Sequence, residues 1–395
     1  MKINHFIGGI FLVAGTTIGV GMLGNPVTTG LIGFVPSILF FILCWLVMLA
    51  SAFCFLDVNL AVRGEPNMIT MAQETLGSWG KWVSWIVYLL LLYSLLAAYI
   101  LASSPIFADA FTAVTSLDLP DWSSPFLLPL IFGGFVYFGT EGVDLINRLI
   151  MVGLLVSYFL LIGALPEHIN PQLLTHHSFS SASIALPVIL TAFGYHIVIP
   201  SLTTYMKHDR KHLAYTIVVG SLLSLVAYGI WQFCTLGVVP VSGKFSIETA
   251  YRSGSTITPM LAGIVKNRWV ITFAQFFAFF AIVSSFLGVS LSLSDFLTDG
   301  FKIKKSWGGK VLAVLLTFVP PLFFVFSYRE GFLLALEYAG AFVAILLIFL
   351  PAAMAWTLKT PKFYSSFWGR AMLFSISAFS LLIVTLVIID RYVSA

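Results

Sequence analysis

Long apolar segments alternate with short polar ones along the whole chain. About 20 apolar residues in a helix, at 1.5 Å per residue, cross roughly 30 Å of hydrocarbon. By this criterion the sequence predicts eleven membrane-spanning helices, numbered here as spans 1 to 11: residues 5–29, 34–57, 82–107, 124–141, 147–165, 183–206, 212–235, 267–297, 310–327, 331–355 and 371–390. The expected fold class is therefore an all-α membrane protein with about eleven transmembrane helices.

The positions of Lys and Arg orient these spans, because cytoplasmic loops carry an excess of both. Segments 207–211 and 302–305 are rich in them and lie on the same side as the N-terminus. Loops 108–123 and 166–182, on the opposite side, contain neither. We therefore expect a cytoplasmic N-terminus and a C-terminus on the outer, periplasmic or extracellular, face.

Composition excludes a soluble enzyme. Of the 395 residues 59% are apolar and 9% are charged, whereas soluble globular chains carry about 25% charged residues. The net charge of +4 comes without a basic face, so no nucleic-acid partner is expected; the lipid bilayer is the expected surrounding. Cys44, Cys54 and Cys234 form no metal-ligand spacing, so neither a metal nor a cofactor is expected.

Span 1 carries an unusual density of glycines, at Gly15, Gly19, Gly21 and Gly24. One interpretation is a small-residue face against which another helix packs closely. The other is an unwound stretch whose free N–H and C=O groups bind a polar solute or an ion at the middle of the membrane. Thr16 and Thr17 lie between the glycines and favour unwinding, because β-branched residues are weaker helix formers than Ala or Leu.

Span 6 contains a matching irregularity. Gly194 lies in its middle, Pro187 and Pro200 flank it, and His196 is a polar group deep in an apolar segment. Spans 1 and 6 are the first members of two successive groups of five. Interruptions at corresponding positions of two halves point to a transporter site formed by inverted repeats.

The sequence lacks the features expected of a channel, a membrane-embedded enzyme or a scaffold. A channel requires a polar stripe along a whole helix, and no span shows one. A membrane-embedded enzyme requires a nucleophile–base pair or a metal motif, and the sequence contains neither. A scaffold does not require two broken helices. The sequence therefore predicts a transporter rather than an enzyme.

Motifs along most of the chain are similar to those of one known family. They occupy residues 13–23 in span 1, Tyr93 to Ile100 in span 3, Asn147 and Arg148 in span 5, 193–201 in span 6, 228–237 in span 7, 285–295 in span 8 and 320–340 in spans 9 and 10. In these segments the chain resembles the hydroxy and aromatic amino acid permease family of the amino acid–polyamine–cation superfamily, in particular the bacterial tyrosine-specific permeases. Glu337 and Ile197 depart from the family's pattern.

The resemblance implies a leucine-transporter-type fold. Residues 1–165 would form the first five-helix repeat, 183–355 the inverted second repeat, and 371–390 an additional helix. It also implies a secondary active transporter in the bacterial cytoplasmic (inner) membrane. The expected substrate is an aromatic amino acid, tyrosine first and then tryptophan or phenylalanine, imported by ion-coupled alternating access. The alternatives are a sodium-coupled symporter of other neutral amino acids and an uncoupled facilitator or exchanger; the oligomeric state stays open.

The residues expected to bind the substrate lie at the two breaks and on span 3: Gly15, Thr16, Thr17, Gly19, Tyr99, Phe193, Gly194, Tyr195 and His196. Ionisable groups inside the membrane are costly and therefore suggest function. His196 is either a core histidine bonded to a neighbouring carbonyl or a group that contacts substrate or takes up a proton. Glu337 is either an ion-pair partner of Arg329 or a carboxylate that binds and releases a proton.

The coupling ion has two candidates. The resemblance implies proton coupling, for which His196 and Glu337 are the titratable residues. A possible sodium site is formed, in the related fold, by two carbonyls of helix 1 and by a carbonyl and two hydroxyls of helix 8. In this sequence the matching positions are Gly15, Ile18, Ala281, Ser284 and Ser285.

The remaining acidic residues near inner span ends are expected to form boundary salt bridges or inner-gate contacts. These residues are Asp57 beside Arg63, Glu141 beside Arg148, and Asp295 beside the lysines of 302–305.

Overall fold

The computed structural model describes residues 3–64, 66–120, 122–138, 140–179, 181–304, 306–359 and 361–394. The side chains at 3–5, 138, 140–142, 144, 145, 393 and 394, among them that of Glu141, lie outside this description. Those ranges are mostly helical and contain no strand. The spans of the first half correspond to α1 Ile3–Thr17, α2 Gly21–Gly30, α3 Phe34–Ala61, α4 Met68–Thr115, α5 Ser124–Phe138 and α6 Thr140–Ala164.

The second half continues with α7 Ala182–Thr191, α8 Ile199–Tyr205, α9 Arg210–Val238, α10 Ile247–Arg252, α11 Thr258–Val265, α12 Arg268–Gly300, α13 Trp307–Ser327, α14 Phe332–Val343, α15 Leu350–Thr357 and α16 Phe367–Ser394. Short α10 and α11 lie in the long loop after span 7. The 3₁₀ turn Tyr195–Val198 separates α7 from α8, and the π-helix Ala344–Phe349 joins α14 to α15.

The all-α membrane class is confirmed. In the described ranges, nine helices are long and apolar enough to cross a membrane, and α1 with α2 form a tenth as a pair bent by 54°. The segment Ser124–Tyr137 is apolar but shorter. The count of eleven crossings, the inverted repeat and the repeat boundaries stay predictions.

The predicted spans 34–57 and 82–107 leave 58–81 as a connecting loop, and the structure corrects this for its second half. It is helical from Met68, where the Asn67 side chain accepts a hydrogen bond from the backbone N–H of Thr70 as the N-cap. Gly77 interrupts the helix with φ of 73°, a left-handed conformation that favours glycine. A short helical segment before Gly77 therefore leads into span 3.

The broken spans lie inside the helical bundle. Helix α1 packs against α9, and α2 packs against α7 and α9. Helix α14 lies against α4 and α7, while α12 packs against α6 and α4. The two breaks are thus surrounded by the helices of spans 3, 7, 8 and 10.

Loops expected on the same side of the membrane contact each other. On the outer side, the N–H of Ser178 donates to the carbonyl of Ile32 at 2.9 Å, and the N–H of Asn170 to that of Gly237 at 2.7 Å. On the inner side, Asp57 pairs with Arg210 rather than with the expected Arg63. Which side faces the cytoplasm stays a prediction.

The π-helix of span 10 has a local cause. Pro351 has no N–H to donate to the carbonyl of Leu347 four residues earlier. The Ser51 hydroxyl of α3 donates to this carbonyl instead, and the Ser380 hydroxyl donates to the carbonyl of Ala344 at 2.7 Å. Two neighbouring helices thus stabilise the irregular turn.

Candidate functional site

Span 1 is broken between Thr17 and Gly21, as predicted. Within the described ranges, several backbone groups at the break have no hydrogen-bond partner. These are the N–H groups of Gly19, Val20 and Gly21 and the carbonyls of Gly15, Thr16 and Ile18. Free backbone groups inside a membrane protein are tolerated where they line a polar site.

Span 6 is broken as well. Helix α7 ends at Thr191, Gly194 follows with a non-helical conformation, and a 3₁₀ turn leads to α8 with Pro200 in its first turn. The ring of Phe193 and the side chain of Tyr195 are fully buried. The break therefore lies inside the bundle and not on the lipid-facing surface.

The two breaks meet beside Tyr228 of α9. A Cβ atom on Gly21 would lie 3.8 Å from the Cα of Ala192 and 2.8 Å from the Tyr228 hydroxyl. That hydroxyl donates to the carbonyl of Thr17 at 3.0 Å, and its ring centroid lies 6.0 Å from that of Phe193. Tyr228 thus links both breaks.

Thr17 has a second contact with α9, since its hydroxyl shares a hydrogen bond with the Ser224 hydroxyl. Neither Ser224 nor Tyr228 was among the expected site residues. Tyr228 belonged to a motif of the family resemblance, whereas nothing in the sequence marked Ser224.

The opposite side of the span 1 break faces α4 and α12. A Cβ atom on Gly19 would lie 2.6 Å from the Ser285 hydroxyl oxygen. Tyr99 of α4 is buried and its hydroxyl interacts with the same serine. The structure therefore brings Gly19, Tyr99 and Ser285 together.

Two expected site residues lie apart from this group. The Thr16 side chain is exposed, and its hydroxyl donates to the carbonyl of Leu12 at 2.7 Å. The α-carbon of Gly15 faces the Met151 side chain of α6. At these two positions only the backbone carbonyls remain available to the break.

His196 has no hydrogen-bond partner within the described ranges, on either ring nitrogen, and neither does the hydroxyl of Tyr195. The imidazole is fully buried. It stacks on the Tyr195 ring at 5.2 Å and meets the edge of the Phe55 ring at 5.9 Å. The interpretation of His196 as a core histidine bonded to a neighbouring carbonyl does not hold in this conformation.

Glu337 is buried in α14, with 8% of its surface exposed. It forms no ion pair with Arg329, which lines a separate cavity at the outer end of the bundle. Its charged neighbours are Asp390 and Arg391 near the end of α16. The nearest charges to Glu337 therefore lie on the last helix rather than at Arg329.

The residues of the possible sodium site point in different directions. The Ser284 hydroxyl donates to the side-chain oxygen of Asn147 in α6 at 2.8 Å, whereas Ser285 faces the break at Gly19. Ala281 is buried one turn earlier on the same helix. A sodium site at Gly15, Ile18 and these three residues stays a prediction.

The sequence analysis missed two amide side chains next to the breaks. Asn25 of α2 is fully buried, and within the described ranges neither polar atom of its side chain has a partner. Gln232 of α9 is also buried; its oxygen accepts from Thr29 at 3.2 Å, while its nitrogen is unpaired. An Asn inside an apolar span was the signal that could have identified the first of them.

Two interrupted spans meet inside a helical bundle, with unpaired backbone groups at the break of span 1, and this arrangement is that of a membrane transporter. The chain belongs to the tryptophan/tyrosine permease family, whose model matches residues 2–389. This is a family of transporters, not of enzymes. The family expected from the sequence motifs is confirmed.

Individual relatives cover most of the chain. A tyrosine-specific transport system (system 1) of Haemophilus influenzae is 31% identical over 89% of this chain and 88% of its own length. A tryptophan-specific transport protein of the same organism is 30% identical over 90% and 88%. A low affinity tryptophan permease of Escherichia coli is 29% identical over 88% and 86%.

Proposed function

We propose that this protein imports aromatic amino acids across the bacterial inner membrane, with tyrosine preferred and tryptophan and phenylalanine as further substrates. The proposed mechanism is ion-coupled alternating access, with the N-terminus in the cytoplasm. The observation that carries the proposal is the meeting of the two breaks around Tyr228. The tyrosine- and tryptophan-specific names of the relatives support the choice of substrate.

The unpaired groups at the span 1 break match the charges of a free amino acid. The N–H groups of Gly19, Val20 and Gly21 lie at the N-terminus of α2, where the helix dipole favours an anion such as a carboxylate. The carbonyls of Gly15 and Ile18 supply acceptors for an ammonium group. Together they replace the hydration that the substrate loses in the membrane.

An aromatic side chain requires an apolar and aromatic surrounding. Tyr99 lies beside the break on the α4 side, and Phe193 and Tyr195 lie at the break of span 6. The buried hydroxyl of Tyr195, which lies near Ser221, supplies a hydrogen-bonding group for a phenol or an indole N–H. This arrangement favours tyrosine and tryptophan over aliphatic amino acids.

Protons are the proposed coupling ion. His196 and Glu337 are buried titratable groups, and a residue that alternates between two protonation states can link proton entry to transport. A proton contributes about 2.3 kcal/mol per 100 mV of membrane potential and about 1.4 kcal/mol per pH unit. Sodium, bound at Ser284, Ser285 and the neighbouring carbonyls, is the alternative.

Uptake of labelled tyrosine into proteoliposomes tests the proposal, with pH and sodium gradients imposed separately. We expect uptake to follow the pH gradient, and Glu337→Gln or His196→Gln to flatten its pH dependence. Uptake that follows a sodium gradient at fixed pH and clamped potential contradicts proton coupling. If unlabelled tyrosine fails to compete while branched-chain amino acids do, the substrate class is wrong.

Variants of glycines test the location of the site. Gly19→Leu places a side chain between the break and Ser285, so we expect binding and uptake to be lost. Gly288→Leu is the matched control, because a Cβ atom on Gly288 of α12 meets no atom within 4 Å. Equal uptake by both variants, at equal amounts in the membrane, contradicts the assignment of the site to the break.

A further inference from the structure

A cavity of about 950 Å³ lies on the inner side of the breaks. We call it the inner vestibule. Its walls are one face of α4, with Lys81, Trp85 and Tyr88, and one face of α12, with Phe296 and Asp299. These residues follow helical spacing of three or four, so each set points to the same side of its helix.

The deeper part of the inner vestibule is aromatic. The rings of Trp85 and Phe296 lie 5.3 Å apart at 37°, and those of Tyr88 and Phe296 lie 5.1 Å apart in an edge-to-face arrangement. The rings come from both walls and all line the cavity. An added aromatic ring can pack against them in the same offset or edge-to-face geometry.

Opposite charges stand at the mouth. Helix α4 runs from the inner side outward and α12 runs back, so Lys81 and Asp299 both lie nearer the inner ends of their helices than the rings do. They are on opposite walls. An aromatic zwitterion therefore finds a cation for its carboxylate, an anion for its ammonium and rings for its side chain.

The inner vestibule reaches almost to the breaks. Phe55 lines it and also packs against the His196 ring in an edge-to-face arrangement, with centroids 5.9 Å apart. Leu347 lines it too, and lies 3.8 Å from the position of a Cβ atom on Gly194. Single side chains thus separate this cavity from the span 6 break.

We propose that the inner vestibule is a second binding site for an aromatic amino acid, which the substrate occupies between the breaks and the inner face. The proposal rests on the proposed function. The carboxylate is bound by Lys81, the ammonium by Asp299, and the ring by Trp85, Tyr88 and Phe296. A passage filled only with water requires neither the aromatic walls nor paired charges at its mouth.

Equilibrium binding of labelled tyrosine to the purified full-length protein tests this. The wild type is expected to bind two tyrosines per chain, and the double variant Lys81→Met/Asp299→Asn to bind one. Trp85→Leu is expected to weaken the second site at least tenfold. Lys302→Met removes an exposed lysine outside the cavity and is expected to retain both sites.

Uptake by intact cells is measured in parallel, and Lys302→Met is expected to keep the wild-type half-saturation from outside within twofold. One tyrosine per wild-type chain, or two per chain in the double variant, overturns the second site while leaving the proposed function intact. A wild type that neither binds nor transports tyrosine contradicts the proposed function itself. If Trp85→Leu does not reach the membrane, Phe296→Leu on the opposite wall replaces it and the same outcomes apply.

Discussion

Replacing Tyr228 with phenylalanine isolates one hydrogen bond at the breaks. The variant keeps the ring that stacks on Phe41 at 5.4 Å and faces Phe193 at 6.0 Å. It loses the 3.0 Å bond to the carbonyl of Thr17, which has no backbone donor because α1 ends there. The change therefore leaves a buried carbonyl without a partner.

An unsatisfied buried acceptor costs about 1–3 kcal/mol. If the conformation of the break loses this stabilisation, its population falls by about fivefold to 150-fold relative to competing conformations. We expect tyrosine uptake at subsaturating concentration to fall by a factor in this range. Thermal stability of the purified protein in detergent should decrease as well.

Tyr158→Phe is the matched control. The Tyr158 hydroxyl also donates to a carbonyl at 3.0 Å, that of Ala227, but this carbonyl lies inside α9 and has a helical N–H donor. Its loss leaves no unpaired group, so we expect a much smaller effect. Equal loss of uptake in both variants, or unchanged uptake in Tyr228→Phe, refutes the reasoning.

Three further changes test other parts of the structure. Arg210→Met leaves the Asp57 carboxylate, which is 4% exposed, without its cation and should cost about 3 kcal/mol of stability. Adding Asp57→Leu should restore part of that stability, and a double variant no more stable than Arg210→Met alone contradicts the pairing. Asn25→Leu removes two unpaired buried polar atoms and should raise thermal stability, since such groups cost about 1–3 kcal/mol; lower stability contradicts this. Asp209→Ala should destabilise the start of α9. Hydrogen bonds from the backbone and ring of His212 hold the pKa of Asp209 below its usual range. The stabilisation that Asp209 provides is therefore present at neutral pH and is lost as pH falls through that lowered pKa. The difference in thermal unfolding between wild type and Asp209→Ala should shrink in acid, and a constant difference contradicts this assignment.

The sequence located the breaks because their causes are local. Clustered glycines with β-branched neighbours weaken a helix wherever they occur, and the structure interrupts span 1 at 18–20 and span 6 around Gly194. The direction in which each glycine faces was not predictable. Gly19 faces α12 and Gly21 faces α9, because the bend of 54° between α1 and α2 abolishes regular helical spacing.

Partners distant in sequence were predicted least well. Asp57 was placed beside the nearby Arg63 but pairs with Arg210. For Glu337, an ion pair with Arg329 was one of two interpretations, and its charged neighbours are instead Asp390 and Arg391. Spacing along a helix identifies neighbours on that helix alone. Pairs between spans depend on how the helices pack, which the pattern of apolar residues does not specify.

The contacts at and just after α2 bear on how access to the substrate site alternates between the two sides of the membrane. On the outer side, the N–H of Ile257 donates to the carbonyl of Leu23 at 3.2 Å and that of Ser178 to the carbonyl of Ile32 at 2.9 Å. On the inner side, the 950 Å³ cavity ends at Phe55 and Leu347. Under the proposed mechanism, opening to the outside moves α2 away from these loops and breaks both bonds, at about 0.5–1.5 kcal/mol each. Together the two bonds cost about 1–3 kcal/mol, which is comparable with the roughly 2.3 kcal/mol that a proton contributes per 100 mV of membrane potential, so under the proposed proton coupling the entering proton can offset this cost.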